Sequence, residues 1–501
     1  MAVLKIENLS ISTHKSRVLL KDFSFVLNDG DKVALIGEEG NGKSTLLKIL
    51  AGIDVSDYVS YTGSFRCDGR ISYLPQKIDV QYEDYKVTDY IFKDEADYNL
   101  LYSLFGRLSI NKDLLNDRTI GTLSGGEKVK VGICKLLYEN PDVLLLDEPS
   151  NDLDLKTLIW LEEFIKNTDI PIMFISHDET LLENCANSIL HLEQLKRKQE
   201  AKITYSGNGY LDYIKYRETY ISKNNQVAFK QKQELNKQLE KWRKIYQKVE
   251  HAQNTISRQD PHGGKMLKKK MHAVKAGKKN LDDKKENMLS KYEPEEAIDI
   301  FFDDVDINPG KVIIDMHIDE LKNDNKSLIV NLDFKVYGKD KVCIIGDNGT
   351  GKSTLLKAIY EQLKDRSDMK VGYMPQNYYE MMDYDMDPVS YLCLTGENKT
   401  RVSTCLGALK FTSEEMLHSI SGLSEGQKCK IMLLKLILEK CDVLLLDEPT
   451  RNLSALSNPR VREMFNEYKG CIICTSHDRK FINEVADKIY MLEDKHLRVL
   501  D

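Results

Sequence analysis

The sequence lacks the features of membrane, secreted and metal-cluster proteins. Its 501 residues contain no run of about eighteen apolar residues, which excludes an ordinary membrane-spanning helix. Residues 1–5 read as the start of a strand, so we expect no signal peptide. The ten cysteines lack the paired spacing of zinc sites, and the one CxxC, Cys471 to Cys474, lies in an apolar run that predicts a buried strand. Free thiols in a chain of this size indicate a reducing cytosol, and hence a cytoplasmic protein.

The chain as a whole has only a small net charge, but one segment is strongly basic. The net charge is −7, yet residues 221–280 hold sixteen Lys and Arg against four Asp and Glu, a local net charge of +12. The remaining residues together carry −19. A basic segment of this kind suits a polyanionic partner such as nucleic acid. The alternative is a solvated charged linker, which would be expected to mix both signs.

The basic segment has a heptad pattern on both sides of a turn. Apolar residues recur with alternating spacings of three and four, at Leu235, Leu239, Trp242, Tyr246 and Val249 and again at Leu267, Met271, Val274, Leu281, Met288 and Tyr292. Lys278 and Lys285 occupy the remaining seam positions, and a break is expected at Asp260–Gly264. We predict an antiparallel helical hairpin over residues 212–292, between a first domain over 1–211 and a second over 293–501.

The two flanking domains share a phosphate-binding pattern. Val33–Ile36 is a short apolar strand followed by GEEGNGKS and a helical run, and Val342–Ile345 is followed by GDNGTGKS in the same way. In this strand–loop–helix setting the backbone amides surround phosphate oxygens, the lysine reaches the terminal phosphates and the serine hydroxyl can bind Mg²⁺. The predicted nucleotide-binding residues are Gly37, Gly40, Asn41, Gly42, Lys43, Ser44 and Thr45, and Gly346, Gly349, Thr350, Gly351, Lys352, Ser353 and Thr354.

Other residues recur at an offset of 300, which indicates a duplicated domain. Asp147 and Asp447 end two apolar runs that predict buried parallel strands, which would place each carboxylate beside Mg²⁺. Glu148 and Glu448 follow directly as candidates to orient and deprotonate the attacking water. His177 and His477 each follow an apolar strand and could face the terminal phosphate, although a lone histidine is more often structural. Gln76 and Gln376 could bind the metal or water, or could be turn residues.

The sequences Leu123–Glu127, LSGGE, and Leu423–Gln427, LSEGQ, resemble the signature of the ABC ATPases. In that family the signature of one domain closes over the nucleotide held by the P-loop of the other. The resemblance therefore implies an α/β protein with two P-loop nucleotide-binding domains, ATP and Mg²⁺ as cofactors, and ATP hydrolysis. It adds Ser124, Gly125, Gly126, Ser424 and Gly426 to the nucleotide-binding residues. A Ser hydroxyl, glycine amides and a helix N-terminus form a second anion cradle.

Two such domains joined by a basic helical hairpin, with no membrane segment, resemble the ABC-F group, which acts on ribosomes. The resemblance implies a monomer that binds large-subunit RNA and tRNA, with its hairpin reaching toward the peptidyl transferase centre and hydrolysis driving release. The run from Asp447 to Pro459 together with LSEGQ is similar to antibiotic-resistance members of the Vga and Lsa type. These act against lincosamides, pleuromutilins and streptogramin A. Candidate ribosome contacts at the hairpin tip are Asn254, Ser257, Arg258, Asp260 and His262, although the tip could be a mere connection.

The sequence also departs from the family. The first D-loop, Ser150–Asp154, ends in an acid, whereas the second ends in Ser454, so the two sites need not be equal. An aromatic residue commonly stacks on adenine ahead of the P-loop, but here only His14 could do so, and the second site has no candidate in 323–325. Base selectivity is therefore expected to be loose.

Three other functions compete with ribosome protection. A housekeeping ABC-F translation factor would share all these features but have no role against drugs. The energising subunit of a transporter would need no basic hairpin. A DNA-repair ATPase usually carries its coiled coil within one ATPase domain, whereas here the heptads lie between two.

Overall fold

We describe the chain from a computed structural model covering residues 2–14, 16–92, 97–255, 261–292, 294–295, 298, 300–303, 305, 307–323 and 326–500. Residue contacts divide the chain into two compact units. One unit contains Met1–Tyr210 and Glu295–Asp501, which we call the first and second domains, and the other is Leu211–Pro294.

The first domain contains nine strands and eight α-helices up to its end, the last of which continues into the other unit. The strands are β1 Ala2–Thr13, β2 Val18–Asn28, β3 Lys32–Ile36, β4 Val59–Cys67, β5 Ile71–Leu74, β6 Val143–Asp147, β7 Ile172–Ile175, β8 Ser188–Gln194 and β9 Glu200–Ser206. The helices are α1 Lys43–Leu50, α2 Val87–Ile91, α3 Tyr98–Arg107, α4 Gly125–Tyr138, α5 Leu155–Asn167, α6 Glu179–Cys185, α7 Leu195–Lys198 and α8 Tyr210–Thr255. These counts refer to the described residues.

Among the described residues, the second domain repeats this order without counterparts of β4 and α7. Its strands are β10 Val312–Asn323, β11 Lys326–Tyr337, β12 Lys341–Ile345, β13 Val371–Met374, β14 Val443–Asp447, β15 Cys471–Thr475, β16 Lys488–Glu493 and β17 His496–Leu500. Its helices, which follow α9 Pro261–Glu286, are α10 Lys352–Leu363, α11 Pro388–Cys393, α12 Lys399–Ala408, α13 Glu425–Glu439, α14 Asn458–Glu467 and α15 Arg479–Val485.

Each domain is built on a six-stranded sheet whose strand order is the same in both. The orders are β5-β6-β7-β3-β8-β9 and β13-β14-β15-β12-β16-β17, parallel except for the last pair. The strands β3, β6, β7, β14 and β15 are buried along their whole length, which explains their unbroken apolar sequences. A three-stranded antiparallel sheet, β2-β1-β4, and a two-stranded one, β10-β11, accompany them. The α/β fold with two nucleotide-binding domains is confirmed.

The two domains contact each other through helices of opposite charge. Glu162, Glu179 and Glu183 on α5 and α6 face Arg462, Arg479 and Lys480 on α14 and α15. Arg462 Nη1 lies 2.5 Å from Glu179 Oε1, and the two side chains are only 4% and 6% exposed. Arg479 pairs with Glu162, and Lys480 pairs with Glu183 and with Glu179, the latter at 3.1 Å. The acids come only from the first domain in these pairs, and the bases only from the second.

The other unit is an antiparallel pair of helices, the 46-residue helix α8 and the 26-residue helix α9. Leu235 and Met271 are buried in the seam, and the Trp242 indole N–H donates to the Val274 carbonyl at 2.8 Å. Lys278 lies 5.6 Å from the centre of the Trp242 ring, which is how this cation is accommodated next to the seam. Every described Lys and Arg of 221–280 is exposed.

The predicted break at 260–264 is wrong for residues 261–264. Helix α9 begins at Pro261, so His262, Gly263 and Gly264 lie within its first turn. Proline suits the first position of a helix because its missing N–H is one that the helix leaves unpaired there. Asn254 lies in the last turn of α8. The candidate tip residues Ser257, Arg258 and Asp260 lie outside the described residues.

Two expectations about the rest of the chain can be compared with the structure. Cys471 and Cys474 lie in the buried strand β15, as predicted, and all ten cysteines are free thiols. Among the described residues, no helix combines the length and apolar character needed to cross a membrane.

Candidate functional site

The two P-loops adopt backbone conformations that require glycine. Gly37 has φ +139°, and a Cβ there would lie 2.2 Å from the Leu192 carbonyl oxygen. Gly346 has φ +155°, and a Cβ there would lie 2.5 Å from the Leu492 carbonyl oxygen. Each loop joins a buried strand to the N-terminus of a helix, α1 or α10, so free amide N–H groups are brought together at one point. This arrangement can bind phosphate.

The two P-loop lysines are buried and hydrogen-bonded in the same way. Lys43 Nζ donates to the Gly37 and Glu38 carbonyls at 2.7 and 3.0 Å. Lys352 Nζ donates to the Gly346 and Asp347 carbonyls at 2.8 and 3.0 Å. Each ammonium group therefore lies inside its loop, where a phosphate would find a fixed positive charge.

Oxygen donors suitable for Mg²⁺ lie beside each P-loop. The Ser44 hydroxyl donates to Asp147 Oδ1 at 2.9 Å, and the Tyr73 hydroxyl donates to Asp147 Oδ2 at 2.8 Å. In the second domain the Thr475 hydroxyl donates to Asp447 Oδ1 at 2.5 Å. A hydroxyl and a carboxylate are ligands that Mg²⁺ uses together with nucleotide phosphates. The described residues contain no group of three or more His, Cys, Asp or Glu arranged as a metal site.

Glu148 and Glu448 have strained backbones at equivalent positions. Their φ values are +49° and +53°, in the left-handed region, directly after the buried strands β6 and β14. Strain of this kind persists where the surroundings enforce it and is common in active sites. It points each carboxylate toward the histidine that follows the neighbouring strand.

In the first domain Glu148 is the centre of a polar network. His177 Nε2 lies 3.0 Å from Glu148 Oε1, and Gln76 Nε2 and Asn151 Nδ2 donate to Glu148 Oε2 at 3.0 and 2.5 Å. Burial alone would raise the pKa of the Glu148 carboxyl, but His177 and the other donors outweigh it and lower this pKa to about 2. Burial lowers the pKa of His177, but Glu148 raises it further, so the net shift is upward. Glu148 and His177 form an ion pair.

The second domain has the same residues in a different electrostatic state. His477 Nε2 lies 3.7 Å from Glu448 Oε1, while the His477 backbone N–H donates to Glu448 Oε2 at 3.1 Å. Burial and then the charge of Asp447 raise the pKa of Glu448 to about 7. Burial and the charge of Lys352 lower the pKa of His477 to about 4. Near neutral pH His477 is therefore uncharged and Glu448 about half ionised, so the two do not form an ion pair.

The signature serines begin the helices α4 and α13. Ser124 accepts from the Glu127 backbone N–H and Ser424 from the Gln427 N–H, each at 3.3 Å, within a reciprocal capping box. Gly125, Gly126 and Gly426 lie in the first turns of these helices. The Gly426 N–H donates to Glu39 Oε2 of the first P-loop at 2.7 Å, and Asn348 Nδ2 of the second donates to the Asp152 carbonyl at 2.6 Å. We call the pairing of the first P-loop with the second signature site 1, and the reverse pairing site 2.

A cavity of about 1010 Å³ lies between the two domains. Its walls bring together Lys352 and Ser353 of the second P-loop with Gly125 of the first signature. Both water-activating candidates, both histidines and both glutamines also line it: Glu148, Glu448, His177, His477, Gln76 and Gln376. The Nδ1 atoms of His177 and His477 are buried with no hydrogen-bond partner among the described residues, which fits a polar ligand in this space.

The remaining predicted residues lie apart from the cavity. The Asn41 side chain turns away from the phosphate side of its loop and donates to the Leu192 carbonyl and to Glu295. Thr350 donates its hydroxyl to the Asp347 carbonyl. His14 is exposed, and its Nε2 lies 2.9 Å from the Ser56 carbonyl oxygen. Thr45 and Thr354 lie in the first turns of α1 and α10.

Sequence reasoning missed the acidic residues around the first P-loop. Glu38 Oε2 accepts from Lys430 Nζ at 2.8 Å, and its Oε1 accepts from the hydroxyls of Ser454 and Ser457, the latter at 2.8 Å. Glu295 Oε2 accepts from Asn41 at 2.7 Å and from the Gln194 N–H at 3.0 Å. The doubled acid in GEEGNGKS, compared with GDNGTGKS, was the available signal for Glu38 and Glu39.

Comparison with known proteins gives the family. The family model described as ABC transporter matches residues 20–151 and 329–451, which include both P-loops, both signatures and both Asp–Glu pairs. The chain belongs to the ABC transporter family. Its two ABC domains make it an ATPase.

Relatives over nearly the full length include members of the F group of ABC proteins. ABC transporter F family member 5 of Arabidopsis thaliana is 26% identical over 98% of this chain and 75% of its own. ATP-binding protein Uup of Buchnera aphidicola is 29% identical over 98% of this chain and 81% of its own. ATP-binding cassette sub-family F member 2 of Bos taurus is 26% identical over 97% of this chain and 80% of its own.

Solved structures share the tandem ABC fold. An archaeal ribosome recycling factor, solved in complex with an archaeal ribosomal stalk protein, aligns with a TM-score of 0.61 at 18% identity. The alignment covers 98% of this chain and 89% of that protein. The RNase-L inhibitor aligns with a TM-score of 0.59 at 19% identity, and the alignment covers 99% of this chain and 90% of that protein. At these identities the likeness concerns the fold.

Proposed function

We propose that this protein is a cytoplasmic, monomeric ABC-F ATPase that binds the ribosome and protects it from antibiotics acting at the peptidyl transferase centre. The observation that carries the proposal is the hairpin of α8 and α9, which has a net charge of +12 over residues 221–280 and exposed basic side chains throughout its described part. Such a surface binds polyanions, and the ribosome presents RNA phosphates at high density. The F-group relatives and the solved ribosome-associated proteins support this partner.

ATP binding would draw the two domains together. In each site the P-loop amides and Lys43 or Lys352 would hold the phosphates, and Ser44 with Asp147, or Ser353 with Asp447, would hold Mg²⁺. Gln76 and Gln376 would complete the metal and water shell. Mg²⁺ would neutralise phosphate charge during hydrolysis.

Glu148 and Glu448 would orient the attacking water and accept its proton. His177 and His477 would contact the terminal phosphate, and the signature residues Ser424 and Ser124 would close each site from the other domain. Release from the ribosome would follow hydrolysis. The candidate contacts to large-subunit RNA, tRNA or the drug region are Asn254, Ser257, Arg258, Asp260 and His262.

The first test is ribosome co-sedimentation of the double variant Glu148→Gln with Glu448→Gln. This variant keeps the phosphate contacts but loses the proton acceptors, so we expect retention on ribosomes with ATP and none without nucleotide. Retention should fall steeply with salt, with a slope of about 0.7 to 0.9 per phosphate contact in log–log form. Absence of binding under every condition would refute the ribosome as partner and favour a transporter subunit.

The second test concerns the drugs. The wild-type protein is expressed in a sensitive strain, and growth inhibition by a lincosamide, a pleuromutilin and an unrelated antibiotic is compared. Protection confined to the first two drugs supports the proposal, whereas ribosome binding without protection indicates a housekeeping translation factor. Replacing residues 254–264 with a short Gly-Ser turn should abolish protection and leave ATP hydrolysis intact.

A further inference from the structure

The two ATP sites differ in what fills the space between P-loop and signature. In site 1 the Glu39 carboxylate accepts the Gly426 N–H at the N-terminus of α13, at 2.7 Å. Helix N-terminal N–H groups bind anions, and in a closed ABC sandwich this amide is the one that the family offers to the nucleotide. A carboxylate of the protein therefore occupies the second anion cradle of site 1. The equivalent P-loop residue in site 2 is the neutral Asn348, which contacts the D-loop carbonyl of Asp152 instead.

A buried ion pair holds the same two elements together. Glu38, next to Glu39, contacts Lys430 at 2.8 Å, and the side chains are 13% and 8% exposed. Ser454 and Ser457 donate to the other carboxylate oxygen. Burial would raise the pKa of Glu38, but Lys430 and these hydroxyls lower it to about 2, so its charge is fully compensated. The unusual D-loop residue Ser454 is thus explained, because an acid there would face Glu38.

The matching residues of site 2 make no such buried pair across the domains. Asp347, the counterpart of Glu38, pairs with Lys156 at 2.9 Å, but these side chains are 50% and 71% exposed. Asp154, the counterpart of Ser454, caps α5 by accepting from the Thr157 N–H. Lys130, the counterpart of Lys430, lies over the Trp160 ring at 4.8 Å. Exposed pairs are weak, whereas a buried pair is costly to separate.

The cavity between the domains also reaches one P-loop and not the other. Lys352, Ser353 and Gly125 of site 2 line it, whereas Lys43, Ser44 and Gly426 of site 1 are not part of its wall. The cavity thus reaches the P-loop and signature of site 2 but not those of site 1, although Gln76, Glu148 and His177 of the first domain also line it. Buried contacts hold the domains together on the other side.

We propose that Glu38 and Glu39 close site 1 onto the second signature without help from a nucleotide γ-phosphate, so that site 2 alone senses whether ATP or ADP is bound. Site 1 then acts as the fixed side of the domain pair, and opening and closing occur at site 2. Glu39 is a specificity-determining residue in this scheme, because its carboxylate supplies the anion that ADP lacks. The assignment concerns the ABC domains alone and is independent of the ribosome as partner.

The test is to measure distances across the two sites by electron paramagnetic resonance in the full chain. One label pair is Ser56→Cys, beyond the P-loop helix α1, with Ser413→Cys, ahead of the second signature; the other is Asp365→Cys, beyond α10, with Asp113→Cys, ahead of the first signature. All four positions are exposed. The partly exposed Cys67, Cys393 and Cys405 are replaced by Ser, and the Glu148→Gln and Glu448→Gln changes prevent turnover. Spectra are recorded without nucleotide, with ADP and with ATP.

We expect the site 1 distance to be the same in all three conditions and the site 2 distance to shorten with ATP only. Glu38→Gln with Glu39→Asn should make the site 1 distance longer without nucleotide and shorter with ATP. Asp347→Asn, the matched change in the second P-loop, should leave the site 1 distance unchanged. Glu39→Gln alone keeps the shape of the side chain and serves as a second variant if the double change unfolds the protein.

Two results would overturn the proposal. The first is a wild-type site 1 distance that shortens with ATP in step with site 2. The second is a site 1 distance that stays fixed in the Glu38 and Glu39 variants, which would show that other contacts close this site.

Discussion

Replacing Arg462 with methionine tests whether the buried charge pairs of the domain interface contribute more to stability than ordinary surface pairs do. The guanidinium makes three charge-assisted hydrogen bonds, two to Glu179 at 2.5 and 3.3 Å and one to Glu484 at 2.8 Å. Methionine keeps most of the volume but leaves the 6% exposed Glu179 carboxylate with only Lys480 as a cation. Breaking a buried pair costs roughly 3 to 5 kcal/mol, and since Lys480 remains we expect a value near the lower end, about 3 kcal/mol.

Urea unfolding followed by circular dichroism measures this effect. With a slope of about 3 kcal/mol per molar urea, the midpoint should fall by about 1 M. The control is Arg460→Met on the same helix, whose pair with Glu463 is 57% and 44% exposed and should cost at most about 1 kcal/mol. Adding Glu179→Gln to Arg462→Met should recover part of the loss. Equal midpoints for the Arg462 and Arg460 variants would refute the reasoning.

Three further changes test other parts of the structure. Glu295→Gln should flatten the pH dependence of stability, because burial and the charge of Glu38 raise the pKa of the Glu295 carboxyl to about 7. In the wild type this group should lower the free energy of unfolding by roughly 3 kcal/mol as pH rises from about 4.5 to 7. The measurement is thermal melting in buffers of constant ionic strength. Gly37→Ala should abolish ATP binding at site 1 in a fluorescent-nucleotide titration, because its Cβ would lie 2.2 Å from a carbonyl oxygen. Trp242→Phe should destabilise the hairpin by about 1 kcal/mol in hydrogen exchange, since the 2.8 Å bond to Val274 is lost.

Each of these has a control and a refuting outcome. The pKa of the Glu295 carboxyl is higher in the folded than in the unfolded chain, so the contribution of this group to stability is greatest at low pH; an unchanged slope in the variant would contradict it. Gly106→Ala, where a Cβ meets open space, should leave ATP binding unchanged. Exposed Tyr216→Phe serves as the hairpin control, and equal protection in both hairpin variants would exclude the indole bond.

The duplicated motifs were predictable because each requires a fixed local setting. The strand before Lys43, the capping box at Ser424 and the apolar run before Asp447 each encode a local structure, and their repetition in the same order in both domains removed chance matches. The seam of the hairpin was predictable for the same reason, since Leu235 and Met271 obey a heptad period. The position of the hairpin's turn was not predictable, because Pro261 fits the first position of a helix as well as it fits a break.

The contacts that make the two sites different were not predictable. Glu38 looks like any surface acid in a glycine-rich loop, and only the fold brings Lys430 and Ser454 to it from almost 400 residues further along the chain. The same holds for Glu295, which follows the hairpin in sequence but lies against the first P-loop. Local patterns predict elements, whereas pairings between distant elements depend on the packing of whole domains.

The opposite charges of the domain interface favour the pairing of a first domain with a second domain over the pairing of two like domains. In a pair of first domains, Glu162 and Glu179 would meet other glutamates where Arg462 and Arg479 now lie, and like charges would repel at low solvent exposure. In a pair of second domains, arginine would meet arginine. At these buried pairs each half of the chain is therefore complementary in charge to the other half and not to itself. These surfaces favour the two kinds of domain in a one-to-one ratio, which a single polypeptide supplies at synthesis.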